Sequence, residues 1–307
     1  MNNLKLQYSS LKKKYLSFLK KQEVMGEPFY DKMGQFQHFY LPICKLIHKK
    51  FVQRKNKNES LIVGLSGGQG SGKTTIAQIL KIIFKNFYKI NCNSFSIDDY
   101  YKTLKERKKM AKYYNQLFLT RGVPGTHDTK MLYRDIKKLK KNNFRTIMIP
   151  CFDKAIDDRL PKRYWKKFKR NQNIIIFEGW CVGAKAQKSN DLKRPVNELE
   201  KKYDQDLSWR KKVNNELKKN YSKIFKMIDT MIYLKVPNFS YVYKWRLLQE
   251  KKLAIKSKGK KIMNKQQIKS FIMHYERVTK NMLKDLLFSD VKISLDKKHR
   301  LKSIKFN

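Results

Sequence analysis

Apolar runs of five or six residues, each bounded by glycine or polar positions, recur along the chain: LIVGL (61 to 65), NSFSI (93 to 97), RTIMI (145 to 149), NIIIF (173 to 177) and MIYLKV (231 to 236). Runs this short and this rich in β-branched residues read as strands buried on both faces. Helix-compatible stretches separate them, and that alternation predicts an α/β fold: a mostly parallel sheet sandwiched by helices, with its ligand beyond the carboxyl ends of the strands. VKISL (291 to 295) is expected to add an edge strand. Elsewhere the period is helical. Pro42 opens a run in which Ile43, Leu46, Ile47 and Phe51 share a face, and Ile268, Phe271, Ile272, Tyr275, Met282 and Leu286 form another apolar face. The polar, turn-like RKNKNES (54 to 60) marks a boundary, giving a helical N-terminal extension over 1–60 and a core over 61–307.

Composition narrows the class. The chain has 307 residues, 41% of them hydrophobic, enough for a sizeable core. No apolar stretch approaches the roughly 18 to 20 residues of a membrane span. Lysines interrupt every apolar run near the amino terminus, unlike a secretory signal. Cys44, Cys92, Cys151 and Cys181 are too dispersed for a zinc cluster and fit free thiols, so a cytoplasmic location is expected. Against 25 Asp plus Glu stand 72 Lys plus Arg, a formal charge of +47. Such an excess attracts nucleic acid or anionic surfaces when gathered on one face. Here it is mostly lysine scattered through every segment, so neither a membrane nor a nucleic-acid partner is expected.

The most specific local signal is Gly67-Gly68-Gln69-Gly70-Ser71-Gly72-Lys73-Thr74, continued by Thr75, which fills every fixed position of G-x-x-x-x-G-K-[ST]. It follows an expected strand and precedes an expected helix, so backbone N–H groups and a helix amino terminus converge on a phosphate. ATP and Mg²⁺ are the implied cofactors, with Lys73 reaching the β and γ phosphates and the Thr74 hydroxyl ligating the metal.

Phosphoryl transfer also needs a carboxylate near the metal and a group to orient the attacking hydroxyl. Glu178 closes NIIIFEGW and Asp98 and Asp99 close SIDDYY, all at expected strand ends. The aspartates have a plainer reading as turn formers or a helix cap. RGVPGTHD (121 to 128) and PCFDKAIDDR (150 to 159) gather donors suited to a carboxylate or sugar-like hydroxyls, although Asp128 also suits a helix cap and either loop alone reads equally well as a solvated turn.

Taken in order, GLSGGQGSGKTT from Gly64, SIDDYY from Ser96, RGVPGTHD, PCFDKAIDDR, FEGW from Phe177, YKWRLLQE from Tyr243 and FIMHYERVT from Phe271 resemble the D-glycerate 3-kinases. These are P-loop kinases related to the uridine, pantothenate and phosphoribulokinase-like enzymes. The resemblance covers residues 61 to about 285. It implies Asp98 as catalytic base and Glu178 as the acid near Mg²⁺. Asp99, Arg121, His127, Lys154 and Arg159 would face the acceptor, and Lys244 and Arg246 would precede a lid at about 247–267. The DKAIDDR block is shorter and poorer in glycine than the family pattern, and the lid segment is unusually rich in lysine. Both departures fall on the acceptor side. The expected activity is transfer of the γ-phosphate of ATP to a hydroxyl of a small acceptor, D-glycerate first. A uridine or pantothenate kinase-like acceptor is the alternative, and a P-loop nucleic-acid-binding ATPase is the rival from another class.

Overall fold

The computed structural model describes residues 2–23, 28–256, 263–286 and 289–307. Its main sheet joins β1 (Leu61–Gly67), β2 (Cys92–Ser96), β7 (Ile174–Gly179), β8 (Thr230–Lys235), β9 (Val291–Leu295) and β10 (Leu301–Phe306), in the spatial order β10-β9-β8-β1-β7-β2. All neighbours are parallel except β9 and β10. Every residue of β1 and β7 is buried, as the two-sided apolar reading requires. Their side chains divide by parity. Val63, Leu65, Ile174 and Ile176 face one hydrophobic cluster, while Ile62, Ile175 and Phe177 face the other.

The first cluster holds the helix Lys73–Ile83 together with the N-terminal helices. Leu11, Tyr15 and Leu19 of Asn2–Gln22, and Ile43 and Ile47 of Leu41–Gln53, are fully or almost fully buried there. The helices Asn2–Gln22 and Leu41–Gln53 therefore help cover one face of the sheet. On the other face lie the helices Thr129–Lys141, Ser208–Glu216 and part of Lys265–Asp285. Among the described residues, no helix is long and apolar enough to cross a membrane.

Two strand expectations are corrected. RTIMI does not join the main sheet: β3 (Thr146–Ile149) pairs antiparallel with β6 (Lys166–Lys169) in a separate ribbon. Its residues alternate, Ile147 and Ile149 buried and Thr146 and Met148 exposed, a one-sided pattern that the apolar Met148 conceals in the sequence. VKISL is flanked on both sides, by β8 and β10, so the edge passes to Leu301–Phe306. Lysines mask that strand in the sequence, and their charge also discourages pairing at an exposed edge. A short hairpin of β4 (Phe152–Asp153) and β5 (Asp158–Arg159) completes the set. Part of the lysine-rich lid segment, 257–262, lies outside the described residues.

Behind the second cluster, Arg277 donates to both oxygens of Glu200, at 2.8 and 2.6 Å, and Arg210 Nε donates to Asp204 at 2.6 Å. All four side chains are buried. The two guanidinium groups also donate to the carbonyls of Asp191, Arg194, Leu192 and Asp204, so the network pins the segment after β7 to two helices. Removing one partner strands a buried charge. Arg277→Met is accordingly expected to destabilise the fold by about 3–5 kcal/mol, read from urea unfolding; a loss below about 1 kcal/mol would show the pair to be solvated.

Candidate active site

Register puts the chemistry at one edge. In β7, Glu178 lies opposite Leu65 of β1 on one side and Ser96 of β2 on the other. The glycine loop, Glu178 and the Asp98 turn therefore leave the same carboxyl edge. β1 runs to Gly67, two residues beyond the apolar run, before the chain turns into the helix starting at Lys73.

At Gly70 (φ +75°) a Cβ would lie 3.0 Å from Trp245 Cβ and 3.2 Å from the Trp245 backbone, so a side chain there would be crowded by the helix Phe239–Lys256 as well as strained by the positive φ. Lys73 Nζ donates to the carbonyls of Gly67 and Gly68, each at 2.9 Å, which holds the ammonium at the loop. Burial lowers the Lys73 pKa, opposed by Glu178 and Asp98. Thr74 Oγ1 donates to Glu178 Oε1 at 2.8 Å, and burial raises the pKa of that carboxyl against the pull of Lys73. Among the described residues the Gln69 amide atoms and Ser71 Oγ are buried without a protein partner, and loop groups left in that state suit a polyphosphate.

Asp98 and Asp99 separate. Asp98 Oδ1 accepts the Tyr101 hydroxyl at 2.9 Å and Oδ2 accepts Lys154 Nζ at 2.7 Å. Burial pushes its pKa up, but the Lys154 ammonium, His127 and the Tyr101 hydroxyl together outweigh burial and hold the carboxyl well below the usual range. Asp99 turns back to accept the Ser96 N–H at 3.1 Å, closing a capping box on the turn Ile97–Tyr100, and pairs with Lys166 at 2.8 Å. Its carboxylate thus bonds within the turn and to Lys166.

The two loops are stitched to this turn. Lys102 N–H donates to Thr126 carbonyl and Asp128 N–H to Tyr100 carbonyl, laying 126–128 beside 100–102. His127 is fully buried, stacked on Tyr101 with ring centroids 4.5 Å apart, and its Nδ1 lies 2.6 Å from the Tyr221 hydroxyl. Burial depresses its pKa to about 3. Asp128 caps the helix Thr129–Lys141 through the Met131 N–H. Arg121 pairs with Asp157 and lies over the Phe152 ring, and its carbonyl accepts the Tyr275 hydroxyl at 3.0 Å. At the following Gly122 (φ +133°) a Cβ would collide with that hydroxyl at 2.0 Å. Arg159 donates through Nε and Nη2 to the Tyr101 carbonyl and lies 3.6 Å from Asp128. Lys244 lies over Tyr241, and Arg246 pairs with Glu250 at 2.7 Å, both on the helix that covers Gly70.

Residues 62–240 match the family described as phosphoribulokinase / uridine kinase, more than half of the chain. The chain belongs to that family. It is therefore a P-loop kinase, a phosphotransferase that uses ATP. It is similar to an uncharacterized kinase, mug58, of Schizosaccharomyces pombe, with 34% identity over 238 residues covering 74% of this chain and 83% of that protein. It is also similar to the chloroplastic D-glycerate 3-kinase of Arabidopsis thaliana, with 28% identity over 257 residues covering 79% of this chain and 53% of that protein. The D-glycerate 3-kinase structure from Cryptococcus neoformans var. grubii superposes with a TM-score of 0.74 at 22% identity over 87% of this chain and 99% of that one, a likeness of fold.

Sequence reasoning about this kinase missed Tyr101, Tyr221, Lys166 and Trp245, whose importance lies in partners far away in the chain. Tyr101 carried one signal, since SIDDYY places its ring three residues from Asp98.

The buried His127 makes stability depend on pH. Its folded pKa lies below its unfolded value near 6.5, so the unfolded chain binds the proton first and stability falls as pH drops from about 6.5 towards 3. In urea unfolding at pH 5 and 6, His127→Gln should lose less stability on acidification than the wild type, by roughly 1.4 kcal/mol per pH unit. Equal slopes would contradict a buried, neutral imidazole.

Proposed function

We propose that this kinase transfers the γ-phosphate of ATP to a hydroxyl of a small hydroxy acid, D-glycerate being the first candidate, with 61–307 as the catalytic unit. The observation that carries this reading is the surroundings of Asp98. Its carboxylate lies at the strand edge shared with Glu178 and the glycine loop, and of its two side-chain partners the charged one is the ammonium of Lys154. A cation beside the attacking position suits an anionic acceptor. The nearby aromatic faces are already covered: His127 stacks on Tyr101, and Arg107 and Arg121 lie over Phe152. A nucleoside would want such a face free, so the uridine kinase-like alternative has less support. The similarity to a D-glycerate 3-kinase of Arabidopsis points the same way.

In this reading Gly67 to Thr75 cradle the triphosphate, and Lys73 exchanges its two carbonyl partners for phosphate oxygens. Thr74 and Glu178 supply the oxygens that suit Mg²⁺, which when bound neutralises charge on the phosphates. Asp98 orients the acceptor hydroxyl and takes its proton as the oxygen attacks the γ phosphorus and the bond to ADP breaks. Arg121, Lys154 and Arg159, with Asp99 and His127 behind them, shape the acceptor side. Lys244 and Arg246 belong to the helix leading into the lid. The cell compartment in keeping with free thiols is the cytoplasm.

An ATP-consumption screen with glycerate, uridine, pantothenate and ribulose 5-phosphate tests the acceptor; turnover with uridine alone would overturn the assignment. Lys73→Ala should fold normally and lose turnover by about 10²-fold or more. Asp98→Asn should keep ATP affinity and lose kcat by about 10²-fold or more, whereas Asp99→Asn should act mainly on stability. Equal, small kinetic effects of the two would remove Asp98 as the base.

A further inference from the structure

Both oxygens of the Asp98 carboxylate are occupied, one by the Tyr101 hydroxyl and the other by the Lys154 ammonium. These partners differ in freedom. Tyr101 is buried, with its ring held between His127 and Phe152. The Lys154 side chain is 60% exposed, against 25% for Asp98. It projects from the hairpin of β4 and β5, which is tied down through several of its side chains. Asp157 pairs with Arg107 and Arg121, Asp158 accepts the Leu104 N–H at 3.0 Å, and Arg159 grips the Tyr101 carbonyl. The hairpin is anchored while its lysine is a long, solvated arm. Of the two partners of Asp98, Lys154 is the solvent-exposed one and Tyr101 the buried one.

We infer that Lys154 masks Asp98 until an acceptor carboxylate draws the ammonium away, so that an acidic acceptor unmasks the base that activates its own hydroxyl. The inference rests on the proposed hydroxy-acid acceptor and adds a selection rule to it. A carboxylate competes well for an exposed ammonium because charge-assisted hydrogen bonds exceed neutral ones. A neutral alcohol or water offers no such exchange and meets a carboxylate whose proton affinity is weakened by the adjacent cation. The device therefore disfavours both neutral acceptors and wasteful hydrolysis. In hydrolysis, water oxygen would bond to the γ phosphorus, the bond to ADP would break, and the water proton would pass to Asp98 and then to solvent. The masking ammonium opposes that proton transfer.

The test compares wild type, Lys154→Met and Lys154→Arg by phosphate release from Mg·ATP without acceptor, and by steady-state kinetics with D-glycerate. Lys154→Met should hydrolyse ATP about tenfold faster than wild type. Its KM for glycerate should rise roughly tenfold to a hundredfold with KM for ATP unchanged. Lys154→Arg, which keeps the cation, should restore slow hydrolysis. If Lys154→Met phosphorylates glycerate yet hydrolyses ATP no faster than wild type, Lys154 is only a substrate contact and the masking role is wrong. If wild type phosphorylates no carboxylate acceptor, the hydroxy-acid reading fails; the acceptor-free comparison still decides whether Lys154 restrains the base.

Discussion

The constraint on which the site depends is the parallel register of β1, β7 and β2. With Glu178 between Leu65 and Ser96, the ends of three strands come level, and each releases a different chemical group at the same edge. A shift of one residue in β7 would turn Glu178 towards the opposite face, because side chains alternate along a strand. The register is held by burial. Ile174 and Ile176 fill one hydrophobic cluster and Ile175 and Phe177 the other, so a slip would misplace all four.

Electrostatics at that edge are arranged as paired opposites. Lys73, Glu178, Asp98 and Lys154 influence one another, and burial favours the neutral form of Lys73, Glu178 and Asp98 against the pull of the opposite charges. Lys154 tips Asp98 towards its carboxylate form, whereas burial dominates at Glu178 and Asp99. Two neighbouring aspartates of the same type consequently have different partners: Asp98 meets the exposed Lys154 cation, and Asp99 closes the turn that carries Asp98.

The acceptor loops gain their order from contacts across the chain. Residues 126–128 run beside 100–102, Arg159 holds the Tyr101 carbonyl, and Tyr275 supports Arg121 through its carbonyl. Several residues that look in sequence like substrate ligands therefore spend part of their hydrogen-bonding capacity on the protein itself. Arg159 is the clearest instance. His127 is another, buried between Tyr101 and Tyr221.

Sequence alone determined the sheet's central strands, the phosphate loop and the strand-end acids, since a buried parallel strand needs a continuous apolar run and a phosphate cradle needs glycines at fixed spacing. Local pattern also gave the helix from Pro42, whose Ile43 and Ile47 are buried. It misplaced Thr146–Ile149 because Met148 is apolar and yet exposed, and it overlooked Leu301–Phe306 because lysines cover an edge. Only the tertiary structure decided that Asp98 and Lys154, 56 residues apart, share a hydrogen bond, that His127 is buried against Tyr221, and that the N-terminal helices roof the sheet. Those outcomes depend on which side chains meet after the chain has folded, and hydrophobic periodicity specifies which face of an element is buried but leaves open what lies against it.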